Sequence, residues 1–120
     1  MKFKIRGLKE PGNIEKERVV IEALEDGNIG NMLIALTEQQ GTDEVSSKIE
    51  NPYWVPDQEV SKGDLIIIYT KNGQKTSRKN NSGSSSYFFY IGSEQPFYKD
   101  KNKTVAVFDI SSWNFAERIG

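Results

Sequence analysis

Apolar residues in this chain fall in short runs separated by polar turns, and the runs are rich in β-branched and aromatic side chains. Such runs favour sheet over a helical bundle. Lys2–Gly7 alternates Phe3 and Ile5 with bases, which predicts a half-buried strand, and Pro11-Gly12-Asn13 then turns the chain. Glu17–Glu25 fits two templates: Ile14, Ile21 and Leu24 would share a helix face, whereas Val19, Val20 and Ile21 prefer a strand. The turn residues that follow, Asp26-Gly27-Asn28 and Gly30-Asn31, decide for strand. Arg18–Leu24 and Met32–Thr37 then form a hairpin or a pair linked across a corner. Gln39–Ser47 is a polar connection.

Tyr53, Trp54 and Val55 lie between Pro52 and Pro56. Neither proline can donate to a ladder, so this segment belongs at a sheet edge or corner. After Lys62-Gly63-Asp64 comes the unbroken apolar run Leu65–Thr70, which implies burial on both faces or a central position in the sheet. Lys71–Ser86 contains no apolar residue and is expected to be a long flexible loop, because it can offset little ordering entropy by burial. Tyr87–Gly92 resumes the sheet, Ser93–Lys103 turns, and Thr104–Ile110 is a strand. Ser111–Gly120 holds Trp113 and Phe115, which are expected to pack back as a last strand or a short helical turn.

A chain of 120 residues suits one domain, with no internal repeat or linker, and can bury a core without disulfides or metals. No segment has the apolar length of a signal peptide or a membrane span, so a cytoplasmic location and no membrane partner are expected. The absence of cysteine removes disulfides, thiol nucleophiles and thiolate metal sites. The absence of histidine removes Ser-His-Asp hydrolysis and ordinary zinc hydrolysis, leaving carboxylate, lysine or tyrosine chemistry. Net charge is −1, but residues 1–60 carry 7 Lys/Arg against 12 Asp/Glu and residues 61–120 carry 9 against 5, so an anion would be drawn to the second half.

The order of features resembles that of the lamin-tail domain. An opening strand runs into a Pro-Gly turn (Phe3–Gly12), followed by Glu-Arg-Val-Val-Ile (Glu17–Ile21) and a Gly-Asn turn into a short apolar strand (Gly30–Leu36). A Trp/Pro segment then reaches Val-x-Lys-Gly-Asp before an apolar strand (Val60–Ile68), and the chain closes on Thr-Val-Ala-Val-Phe-Asp (Thr104–Asp109). Asn31-Met32 stands where that family often has Gly-Trp. The resemblance covers most of the chain and implies an immunoglobulin-like β-sandwich of about seven to nine short strands, with no inherited catalytic residues.

Four kinds of site are open to these residues. Asp57, Glu59, Asp64 and Asp109 could supply a carboxylate pair for hydrolysis, although the first three sit in turn contexts where acids bond locally. The same acids, or Asp43 and Glu44, could hold calcium, but no spaced acidic loop is present. Lys71, Lys75, Arg78 and Lys79, joined by Lys99, Lys101 and Lys103, would form a phosphate-binding patch if both loops shared one end, with Tyr90, Phe97 or Tyr98 as stacking surfaces. Trp54, beside Tyr53, is the candidate anchor of a protein contact or, alternatively, the core tryptophan of the sandwich. Edge strands Lys2–Gly7 or Tyr87–Tyr90 could pair with a partner or a second copy. No glycine-rich phosphate cradle is present, and no cofactor or metal is expected. The expected function is a non-enzymatic module that binds a protein or ligand through the Lys71–Ser86 loop and the Phe97–Lys103 turn, with nucleic acid or nucleotide, held by the basic loops 71–79 and 99–103, as the alternative.

Overall fold

The computed structural model describes residues 1–120. In chain order its strands are β1 (Phe3–Lys9), β2 (Arg18–Ala23), β3 (Gly27–Asn28), β4 (Met32–Glu38) and β5 (Glu50–Trp54). There follow β6 (Glu59–Val60), β7 (Leu65–Tyr69), β8 (Thr76–Lys79), β9 (Ser85–Tyr90) and β10 (Lys103–Asp109). The single helical element is a 3-10 turn at Ile29–Asn31.

Alternation along each strand divides these elements into layers. Val19, Ile21 and Ala23 of β2, Ile66 and Ile68 of β7, and Phe89 of β9 are buried on one side of a five-stranded sheet ordered β1-β2-β7-β9-β8. They join one core cluster with Met32 and Ile34 of β4, Ile29, Val55 and Val60. Strand β4 lies at the centre of a three-stranded sheet, β10-β4-β5, and β3 pairs with β6 in the connection between the layers. The molecule is therefore all-β, with two sheets packed on a shared core. All pairings are antiparallel except β7 with β9.

The expected strands up to Thr104–Ile110 are present, but three expectations change, those for 71–86, for the Tyr87–Tyr90 edge and for Ser111–Gly120. Of the two connections open to β2 and β4, the chain takes the corner: the strands lie in different sheets and form no hairpin. Leu65–Tyr69 is central, as expected, with Ile66, Ile67 and Ile68 buried and only its ends, Leu65 and Tyr69, half-buried. The polar stretch 71–86 is not a bare loop: Thr76–Lys79 forms β8 against β9. Backbone pairing needs no apolar side chain, and the cations add contacts, with Lys75 over the Phe89 ring at 5.4 Å and Arg78 over Phe88 at 5.3 Å. The Asn80 amide closes the turn on Ser84 and Ser86 hydroxyls at 3.2 and 2.9 Å.

That addition moves the sheet edge. Tyr87–Tyr90 is interior, and the free edges of the larger sheet are β1, as expected, and β8. Both carry bases, and β1 has a register shift between Ile5 and Gly7, features that oppose casual strand pairing. Ser111–Gly120 contains neither strand nor helix. No helix is long and apolar enough to cross a membrane.

Candidate functional site

Strand β5 ends at Trp54 on the margin of the smaller sheet, where the flanking prolines place it. Its neighbour Tyr53 packs on the core, so Trp54 takes the opposite, outward side. The indole is 42% exposed, and its Nε1–H donates to the Gly30 carbonyl at 2.8 Å. Gly30 has no room for a Cβ, because the Asp57 carboxylate lies against its Cα. Trp54 is thus held in place without being covered, and it is not the core tryptophan. Trp113 meets it edge-on with ring centroids 4.9 Å apart, and Phe115 stacks on Trp113 at 6.4 Å.

The cross-strand register extends this surface. Leu33 pairs with Trp54 on one side and Phe108 on the other, and all three are out of phase with the core residues Ile34, Val105 and Val107. Phe108, Trp113 and Phe115 are 40%, 61% and 71% exposed. A shallow groove beside them is lined by Gly30, Asn31, Trp54, Pro56, Asp57 and Trp113. Contiguous exposed apolar surface of this kind marks interaction sites.

The cations singled out from sequence do not converge at one end. Strand β8 runs antiparallel to β9, so Lys79 lies opposite Ser85, at the Asp64 end, while Thr76 pairs with Phe88 towards the other. Lys71 faces Glu15 at 3.6 Å, and Lys103 lies 3.8 Å from both Glu38 and Glu50. Lys75 and Arg78 cover phenylalanine rings, and Lys99 and Lys101 are exposed on their turn. Tyr98 offers no stacking surface: it is buried, and burial, followed by the nearby Glu17 charge, pushes its hydroxyl well above the usual tyrosine range.

The candidate acids serve separate local bonds. Asp64 is buried and accepts the Ser61 and Ser85 N–H groups, both at 2.8 Å. Asp109 accepts from the Met1 amino group at 2.7 Å, Glu59 from the Asn28 amide at 3.3 Å, and Asp57 lies by Gly30. Asp43 and Glu44 are exposed on the connection between β4 and β5.

Sequence reasoning missed Glu17, whose side chain is fully buried. Its Oε1 accepts the Gly12 and Tyr98 N–H groups at 2.8 and 3.0 Å, and its Oε2 accepts the Phe97 N–H at 2.9 Å and the Thr70 hydroxyl at 2.5 Å. One carboxylate therefore pins the turn after β1, the end of β7 and the Phe97–Lys103 turn. Charge-assisted bonds of this type are the strong ones. No local pattern could reveal it, because its four donors are scattered over most of the chain.

No known protein family matches the chain, and no curated protein is similar to it.

Proposed function

We propose that this chain is a non-catalytic, lamin-tail-like binding module of immunoglobulin-like type, which recognises a protein partner through the aromatic surface around Trp54. The order of sequence features and the two packed sheets support the family reading. The dispersal of Asp57, Glu59, Asp64 and Asp109 into separate local bonds supports the non-catalytic one.

One observation carries the choice of surface: a tryptophan that is 42% exposed while its only polar atom is fixed at 2.8 Å to backbone. A pre-oriented aromatic loses little side-chain freedom on binding, and tryptophan is prominent among the residues that dominate interface energies. The expected Lys71–Ser86 surface is the weaker candidate for a protein partner, because it offers cations and hydroxyls but no apolar anchor.

The test is capture of proteins from the source cell on the immobilised chain, compared with Trp54→Ala after both are shown to be folded. Loss of a specific partner, with affinity down by about thirtyfold or more, is the expected result for a buried anchor. An unchanged set of captured proteins would overturn the reading.

A further inference from the structure

The larger sheet also has an outward face, and its residues form a lattice that register alone defines. Opposite the core positions stand Arg18, Val20 and Glu22 of β2, Leu65, Ile67 and Tyr69 of β7, and Ser86, Phe88 and Tyr90 of β9. Cross-strand pairing arranges them in rows. The first runs Lys9, Arg18, Tyr69, Tyr90. The second runs Gly7, Val20, Ile67, Phe88, Thr76, and the third runs Lys4, Glu22, Leu65, Ser86, Arg78.

Two properties set this face apart. Its centre is aliphatic and aromatic although no further sheet lies over it, with Ile67 buried and Val20, Leu65, Tyr69 and Phe88 half-buried, whereas the solvent side of a sheet is usually polar. Its rim is basic although the whole chain has a net charge of −1. Lys4, Lys9, Arg18 and Arg78 belong to the rows, Arg6 joins them through Glu22 at 3.1 Å, and Lys71 lies over Tyr69. Only Glu22 and Glu15 oppose these six, each already paired. Three of the cations come from β1, in the half of the chain whose composition is acidic.

The cations and rings occupy the same places. Arg18 and Lys71 lie 5.8 and 5.3 Å from the Tyr69 ring centre, Arg78 lies 5.3 Å from that of Phe88, and Tyr69 and Tyr90 are stacked at 5.3 Å. A groove on this face has Arg6 and Lys9 on one side, Val20 and Leu65 as floor, and Asn80 and Ser84 on the other. From this juxtaposition we infer that the outward face of the five-stranded sheet binds single-stranded nucleic acid. Phosphates meet the Arg and Lys rim, and unpaired bases lie against the half-exposed parts of Tyr69 and Phe88, with Tyr90 held behind Tyr69 by the Gly73 backbone, the two-part recognition that single strands permit. A duplex hides its base faces from such rings, and an acidic peptide uses the rim alone. This inference is independent of the Trp54 surface, which lies on the other sheet.

The experiment uses the full chain and fluorescence anisotropy with a labelled oligo-dT of about fifteen nucleotides, a length that spans a typical single-strand site. A labelled poly-glutamate peptide serves as the competing chemistry. Expected is saturable oligo-dT binding whose affinity falls with salt at a log–log slope of about −2 or steeper. Arg18→Gln with Arg78→Gln should weaken it by about tenfold, and Tyr69→Leu, which keeps apolar bulk but removes the ring, by about fivefold or more. Lys48→Gln, on the connection between β4 and β5, should leave it unchanged. If Arg18→Gln shifts the thermal midpoint, Lys9→Gln with Arg78→Gln replaces it. No binding, a flat salt dependence, or binding lost with Lys99→Gln and Lys101→Gln but kept by the sheet variants would each overturn the inference. So would poly-glutamate binding as tight as oligo-dT and indifferent to Tyr69→Leu.

Discussion

The outward faces of the two sheets are built by the same alternation and differ in what fills the unburied positions. On the smaller sheet Leu33, Trp54 and Phe108 stand in one cross-strand row with no cation among them, extended by Trp113 and Phe115. On the larger sheet the aromatic residues lie beneath Arg18, Lys71 and Arg78. An uncovered indole suits an apolar pocket of a protein, whereas a ring topped by cations suits a partner that brings both anionic and planar groups. Two identical patterns of inward residues therefore leave room for two unlike surfaces, because nothing in the core constrains the other side of the strand.

The comparison breaks hardest where one face loses a strand. Removing Thr76–Ser85 deletes β8, exposes the ladder groups of β9 and removes the Ser85 N–H that binds Asp64. The expected outcome is a loss above about 3 kcal/mol in urea unfolding, or self-association through the new edge. A shortened chain that stays monomeric with unchanged stability would show that β8 is dispensable to the sheet. Oligo-dT binding should weaken severalfold with it, because Arg78 leaves the lattice, while Trp54 lies on the other sheet and keeps its surface.

Glu17→Ala is the next largest effect, and it should spare neither face. It strands three backbone N–H groups and one hydroxyl in a buried place, a cost of about 3–5 kcal/mol. Glu17→Gln should recover only part of this, since one end of an amide donates where donors already point in. A midpoint shift in thermal unfolding below about 2 °C for Glu17→Ala would mean that the four bonds are replaced by water at little cost.

How far these features could be read in advance follows from how local their causes are. Strands β1, β2, β4, β7 and β10 announce themselves by alternation or apolar runs, and Pro52 and Pro56 place Trp54 at an edge. Sheet membership depends instead on pairing between distant segments, so β2 and β4 look like hairpin partners until each is seen with other neighbours. Strand β8 is invisible to a reading based on burial, because Thr76-Ser77-Arg78-Lys79 is exposed and held by backbone bonds to β9, with Arg78 over Phe88 and the preceding Lys75 over Phe89. The basic rim escapes a count by halves, since Lys4, Arg6 and Lys9 come from the acidic half and reach Arg78 only across four strands. Tyr98 resembles an exposed turn aromatic in sequence and is buried because Glu17 draws its backbone inward.

The smallest effect distinguishes the two layers by pH. Burial raises the Tyr98 hydroxyl above the ordinary tyrosine value of 10, with the Glu17 charge adding to it, and burial alone raises Tyr53 beneath the smaller sheet. A raised folded-state value means that the unfolded chain releases these protons first. Stability is then fully present below about pH 10 and declines above it, by up to about 1.4 kcal/mol per pH unit for the buried Tyr98 and by less for Tyr53, which solvent screens. Tyr98→Phe keeps the ring and removes the titration, so its alkaline decline should be shallower than that of the parent chain. Tyr53→Phe should flatten the decline less, because Tyr53 is only half-buried and has no such charge acting on it. Unfolding curves in urea at pH 8, 10 and 11 read both slopes. Equal flattening by the two variants would mean that neither the Glu17 charge nor deeper burial sets Tyr98 apart from Tyr53.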